Sequence, residues 1–303
     1  MSSAGITVII PTNRPPRILE PCLRALNAQS VNDVSFEVLV VNDGATHDLT
    51  PLADSMRARG LTIRVLDIPR RGPGPARNAG AAAAGGDLLV FTDDDCVPEP
   101  GWLAAFAKSS QQHPNALLGG KVVNLLPRRL ASEASQVLVE FLYAYYNRDP
   151  LDARFFTSNN MAARRDVFLG HGGFDETFTL NAGEDRDLCS RWREQGGRLV
   201  FVPDARIGHA HDLNARRFWE QHYRYGKGAA SYWEGRRRST GARLQVEPAA
   251  FYRDLLLYPL RHRTLPGAVA SASLIGLAQV ANALGFFVAA ARWPVFSGAK
   301  TER

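Results

Sequence analysis

The chain has 303 residues, 45% hydrophobic and 22% charged, and a formal net charge of +6. That balance excludes a disordered or collagen-like chain, and the length holds one large domain or a domain with an appendage. Three scattered cysteines, Cys22, Cys96 and Cys189, exclude a disulfide framework and a cysteine-built metal site, and favour a reducing compartment.

The charge is unevenly placed. Residues 1–212 carry 22 Lys/Arg against 25 Asp/Glu, a net −3, while residues 213–263 carry a net +7 and residues 264–303 a net +2. The basic C-terminal third therefore reads as a surface for anionic lipid or another polyanion. The start, Met1 to Gly5, has no basic region and no cleavage signal, so no secretory peptide is read there.

Residues 6–10 form a short β-rich run that ends at Pro11-Thr12-Asn13-Arg14-Pro15. Thr12 or Asn13 reads as a helix cap, with Pro15 or Pro16 opening the helix that follows. A second strand, Phe36 to Val41, ends in Asn42-Asp43-Gly44, and a third, Leu61 to Ile68, leads into a Gly/Pro-rich loop holding Gly72, Gly74 and Arg77. Such a loop opening a helix is able to present backbone N–H groups to an anion, with Arg77 pairing a diphosphate; the alternative is an Arg that merely solvates an alanine-rich helix.

The fourth strand, Leu88 to Phe91, ends in three consecutive carboxylates, Asp93, Asp94 and Asp95. Three like charges need compensation by neighbours or by a cation. Hard oxygen ligands at the carboxyl end of a sheet strand suit Mg²⁺ or Mn²⁺, although the triplet alone reads equally as a solvated acidic turn. Four strand-then-helix units predict a mostly parallel α/β sheet whose loops open on one edge.

Further on, residues 101–113 read as a helix, 116–124 as a strand and 129–147 as an amphipathic helix. Gly172-Gly173-Phe174-Asp175-Glu176 reads as a shaped loop. Glu184 and Asp185 open a helix of about three turns, where acidic residues complement the dipole or one of them serves as a general base. After a strand at 198–202, His209 and His211 stand at i and i+2 on an extended segment, which predicts opposite faces and at most one ligand.

Taken in order, Val-Ile-Ile-Pro-Thr-Asn-Arg at 8–14, Val-Val-Asn-Asp-Gly at 40–44, Gly-Pro-Ala-Arg-Asn-Ala-Gly at 74–80, Phe-Thr-Asp-Asp-Asp-Cys at 91–96, Gly-Gly-Phe-Asp-Glu at 172–176 and Gly-Glu-Asp-Arg-Asp-Leu at 183–188 resemble the inverting glycosyltransferases of family 2. The resemblance covers roughly residues 5–212 and implies the GT-A fold. It implies that Pro11, Thr12, Arg14, Asp43, Gly74 and Arg77 line a nucleotide-diphosphate sugar, a UDP-sugar by family habit. It further implies that Asp93 and Asp94 contact the ribose and metal region. Asp95 would ligate Mn²⁺ or Mg²⁺, completed by His209, and Asp185 would be the base, with Glu184 holding the acceptor. The Gln-x-x-Arg-Trp motif of processive synthases is absent, so transfer of a single sugar to a sugar or lipid-linked acceptor is expected, in cell-surface polysaccharide or glycolipid synthesis.

The expected domains are a catalytic one over 1–212 and a basic, aromatic, helical extension over 213–303 that associates with a membrane. Residues 264–291 hold no charge, long enough to cross a bilayer, but their polar residues leave open a span, an interfacial helical hairpin and a buried helix. Arg261 and Arg263 before the segment and Arg292 with Trp293 after it read as interface anchors. The expected location is cytoplasmic, peripheral or monotopic at the inner face of the cell membrane. The rival readings are a nucleotidyltransferase and a nucleotide-sugar-binding scaffold without catalysis. An RNA binder would also combine arginines with stacking aromatics, but nucleic acid is not the expected partner.

Overall fold

The computed structural model describes residues 5–29, 34–45, 47–178 and 182–293. The first four residues of the stretch read for a secretory signal, and the end of the C-terminal extension beyond 293, lie outside them. Two compact units are present. The first comprises residues up to 125, 143–179 and 185–211; the second comprises 126–142, 180–184 and 212 onward. The second unit thus takes in a segment from the middle of the chain as well as the C-terminal third.

The first unit is built on one eight-stranded mixed sheet. Strands β1 (Ile6–Thr12), β2 (Phe36–Asp43), β3 (Ile63–Ile68) and β4 (Leu88–Thr92) run parallel in the order β3-β2-β1-β4. Every residue of β1 and β4 is buried, as expected for strands covered on both faces. The sheet continues through β7 (Asn160–Arg164), antiparallel to β4 and to β6 (Leu117–Asn124), then β8 (Leu199–His209), parallel to β6. A three-residue strand, β5 (Cys96–Pro98), closes the edge antiparallel to β8.

Helices α1 (Pro16–Asn27), α2 (Thr50–Arg57), α3 (Pro73–Ala83), α4 (Trp102–Gln112), α6 (Arg165–Gly170) and most of α7 (Glu184–Glu194) flank the sheet. The stripe Leu19, Cys22, Leu23 and Leu26 of α1 is buried in the main core. Gly80 of α3 lets that helix pack on β1, because a Cβ there would meet Ile9 Cγ2 at 2.5 Å. Thr12 is not a helix cap: α1 starts after Pro15 without a side-chain cap.

The second unit contains most of α5 (Leu130–Tyr146), with α8 (Ala215–Thr240), α9 (Ala249–His262) and α10 (Leu265–Ala290). Residues 265–290 form one continuous helix, which removes the hairpin reading. α8 and α10 run side by side and in the same direction. Phe218 packs with Ala278, and Ala230 with Ala290. Glycines permit the approach: a Cβ on Gly226 would lie 2.0 Å from the Asn282 carbonyl oxygen, and one on Gly285 would lie 2.0 Å from that of Tyr223. Arg263 ties α5 to the α9–α10 junction through Glu133 (2.5 Å) and Glu140 (3.0 Å).

Candidate active site

The three aspartates after β4 are compensated from three other segments of the chain. Arg77 of α3, itself buried, donates to Asp93 at 2.6 Å and stands 5.4 Å from the Phe174 ring centroid. Asp94 accepts from the Thr12 hydroxyl at 2.6 Å and from Arg14 through both Nε and Nη2. Arg14 also reaches Asp95 at 2.9 Å, and His209 Nε2 lies 3.3 Å from the other Asp95 oxygen. The repulsion expected of the triplet is therefore answered by two arginines and a histidine.

Burial pushes the Asp94 carboxyl above its usual range, opposed by Arg14 and Thr12. Burial acts the same way on Asp95, but there His209 and Arg14 prevail and hold the carboxyl well below the ordinary value. His209 is raised in turn: desolvation works against its charged form and is outweighed by Asp95.

β5 creates the Asp95–His209 pair. Its register sets Cys96 opposite His209, and the Ala210 N–H donates to the Asp95 carbonyl at 2.9 Å. Asp95, Cys96 and His209 each offer a donor atom, all within 4.8 Å of one another. Burial raises the Cys96 thiol well above its usual pKa, which disfavours the thiolate that a thiophilic ion would need. The carboxylate and imidazole remain, a set that fits Mn²⁺ better than a thiophilic ion. The two histidines do not diverge as alternation predicts. β8 ends at His209, and the rings of His209 and His211 stack at 4.8 Å between centroids.

The second strand end behaves differently. Buried Asp43 accepts from the backbone N–H groups of Arg71 (2.6 Å) and Gly72 (2.9 Å), and so fixes the loop before α3. In the first turn of α3, Pro73 and Pro75 carry no N–H, and the Ala76 N–H donates to the Gly72 carbonyl. The expected backbone cradle for an anion is thereby reduced to Gly74, leaving Arg77 as the cation of this loop. Pro11 is buried in β1, next to Thr12.

The loop at 172–176 fastens α3 to α7. The Asn78 side chain donates to the Phe174 carbonyl (2.8 Å) and accepts from the Phe174 N–H (2.9 Å). Arg191 of α7 donates to the carbonyls of His171 (3.0 Å) and Gly173 (2.6 Å), and Glu176 pairs with Arg71 at 2.5 Å. The sequence reading assigned no such roles to Asn78 and Arg191; both lie in or beside a motif, but only the folded loop pairs them with its carbonyls.

Asp185 stands in the first turn of α7 and accepts from the Arg186 N–H at 2.7 Å. Burial raises its carboxyl pKa, partly offset by that N–H and by the charge of Arg77. Arg186 lies 6.0 Å from the Tyr146 ring centroid. Glu184, its neighbour in the chain, is buried and belongs to the second unit.

Among solved structures, the mannosyltransferase PcManGT from Pyrobaculum calidifontis, in complex with GDP-Man and Mn²⁺, superposes with a TM-score of 0.61 at 20% identity, covering 98% of this chain and 89% of its own. GalNAc-T7 with UDP, GalNAc and Mn²⁺ gives 0.58 at 14% identity, covering 84% and 55%. These likenesses show the GT-A fold. In sequence, the pre-mycofactocin glycosyltransferase of Mycobacterium tuberculosis is 29% identical over 234 residues, which are 76% of this chain; the chain spans about half of that relative, 47% of its length. The model of glycosyl transferase family 2 matches residues 7–170, and that of glycosyl transferase family group 2 matches residues 89–292. The chain belongs to glycosyl transferase family 2.

Proposed function

We propose that the chain transfers a single sugar from a nucleotide-diphosphate sugar, a UDP-sugar in the first instance, to an acceptor hydroxyl with inversion at the anomeric carbon. The observation that carries this is the convergence of Asp93, Asp94 and Asp95 with Arg77, Arg14 and His209 at the carboxyl end of the parallel strands. Ligands of open α/β sheets bind at that edge. Asp95 and His209 would hold a divalent ion, Mn²⁺ by the example of PcManGT and GalNAc-T7 and Mg²⁺ by oxygen chemistry. When bound, such an ion neutralises the leaving diphosphate. Pro11, Thr12, Arg14, Asp43, Gly74, Arg77, Asp93 and Asp94 line the donor site in this reading. Asp185 is the general base and Glu184 holds the acceptor. Burial that raises the Asp185 pKa supports the role, because a base works best when its pKa approaches the working pH. A nucleotidyltransferase would need a diphosphate-cradling Lys/Arg signature near the N-terminus, where this chain has Thr12-Asn13-Arg14-Pro15-Pro16.

The acceptor in this reading is a sugar or a lipid-linked acceptor, and the enzyme is cytoplasmic, peripheral or monotopic at the inner face of the cell membrane. What supports a membrane is α10: its most apolar window has a mean hydropathy of 1.7 and is only 22% buried. What supports an in-plane position is α8. That helix lies along α10, and Arg224 and Lys227 flank Gly226, which meets α10 at Asn282, inside its uncharged stretch. Spanning would carry those charges into hydrocarbon, at several kcal/mol each.

Calorimetric titration with UDP, GDP and dTDP, each with Mn²⁺ and with EDTA, tests the donor reading. Metal-dependent binding of one nucleotide is expected and names the base. Absence of binding to all three in both conditions removes the assignment.

A further inference from the structure

Where α8 and α10 end, the second unit holds a cavity of about 330 Å³ that sugar transfer does not use. Trp233 and Arg237 of α8 line it, together with Gly241, Arg243 and Leu244 of the turn that follows and Trp293 beyond α10. Gly241 builds it. Its backbone is left-handed, at φ 69°, and its N–H donates to the Arg237 carbonyl at 3.1 Å. That geometry stops the helix and brings Arg243 and Leu244 beside the last turn.

The chemistry of the lining is one-sided. Among the described residues it offers two guanidinium groups and two indoles, and no carboxylate. The Arg237 guanidinium stands 5.8 Å from the Trp293 ring centroid. Its Nε is buried and, among the described residues, has no hydrogen-bond partner. A buried charged donor of this kind normally has an acceptor, so the cavity is short of an anion. Arg243 is exposed and, among the described residues, forms no ion pair or hydrogen bond.

Beside it the surface is apolar. Phe287 is 70% exposed, and Leu284 and Val288 of the same two turns are each 48% exposed. Phe286 bridges the two regions, touching both Phe287 (5.7 Å) and Trp293 (5.9 Å) between ring centroids. A soluble anion would find the arginines but would leave that surface in water. An uncharged chain would cover the surface but leave Arg237 unsatisfied.

We propose that this cavity binds the phosphate of an anionic amphiphile, a phosphate ester carried on a hydrocarbon chain. Arg237 and Arg243 take the phosphate, a group that the planar guanidinium matches well. Trp233 and Trp293 stand at the polar–apolar boundary, where indoles are favoured. The chain lies on Leu284, Phe287 and Val288. The volume falls at the low end of ligand sites, about 300–1,000 Å³, and suits a headgroup. The proposal rests on the membrane-surface reading, and a water-soluble probe separates the two.

The test is titration of the full chain with monomeric dihexanoyl phosphatidic acid, followed by calorimetry and tryptophan fluorescence. Inorganic phosphate and hexyl glucoside serve as the two half-ligands. Saturable binding is expected with the phosphatidic acid, at least tenfold tighter than with either half-ligand. Arg243→Gln and Arg237→Gln should each weaken it at least tenfold. Arg243 is exposed, so its substitution reads binding even where Arg237→Gln fails to fold. Absence of saturable binding, or binding unchanged by Arg243→Gln, overturns the proposal. Equal affinity for inorganic phosphate makes the cavity a free-anion site, and equal affinity for hexyl glucoside makes it an apolar one; either result also overturns it.

Discussion

His209 Nε2 lies 3.3 Å from Asp95 Oδ1, held there by the pairing of β5 with β8. Here the acidic strand end meets a nitrogen ligand carried by β8, three strands away from β4 in the sheet. In Asp95→Ala, Mn²⁺-dependent nucleotide binding should disappear, because the ion loses its carboxylate ligand. His209→Ala should leave the binding detectable but shift the Mn²⁺ response to higher concentration by at least about tenfold, because one nitrogen ligand is lost. Titration of Mn²⁺ at fixed nucleotide checks both. Unchanged Mn²⁺ dependence in Asp95→Ala would remove the metal site from these residues.

Asp185→Asn should separate binding from chemistry. The amide keeps the shape and still accepts from the Arg186 N–H, but it takes no proton. Donor affinity is expected to stay within about twofold, while turnover falls by about 10²–10⁴, the usual worth of a general base. Calorimetry and a transfer assay on the same preparation read the two quantities. A turnover near the parent value would move the base elsewhere.

His222 should make stability depend on pH. It is 1% exposed in α8, packed against the rings of Phe218 (4.3 Å) and Tyr225 (5.5 Å), and among the described residues neither ring nitrogen has a hydrogen-bond partner. Burial lowers its pKa to about 4. The unfolded chain, titrating near 6.5, then binds more protons than the folded one between these values, so stability is full above about pH 6.5 and declines toward pH 4. The decline attributable to this residue is about 3 kcal/mol. Urea unfolding at pH 7 and pH 4.5 should show a clearly smaller pH difference in His222→Gln than in the parent. Identical pH differences would mean that His222 is solvated or partnered in solution.

Phe287→Asp should detach the chain from membranes without unfolding it. At 70% exposure the side chain contributes little to the fold, yet burying it in an interface is worth about 1.5–3 kcal/mol. Partitioning into vesicles with anionic lipid should fall at least tenfold, with the melting temperature unchanged. Partitioning equal to the parent's would remove this face of α10 from contact with lipid.

The legible part of the fold followed from burial on two faces. β1, β2 and β4 read as continuous apolar runs, and each ends in the polar residues that reappear at one edge of the sheet. β7 hid in the polar run after Thr157, because its Asn160 and Arg164 break any periodic pattern. β5 was too short to leave a pattern of its own.

Local chemistry alone determined that this chain has an α/β core, that carboxylates end its fourth strand, and that its C-terminal third is basic and carries one long uncharged segment. Strand periodicity and side-chain class set those properties within a few residues. The tertiary structure decided the rest. Pairing along β5 chose His209 for Asp95 and left His211 stacked upon it. The sheet edge brought Arg14 onto two aspartates and Arg77 onto the third. Glycine-mediated contact laid α10 along a charged helix. Each of these joins residues distant in sequence through a backbone register or a close approach, and neither the spacing nor the composition of a single segment encodes such a meeting.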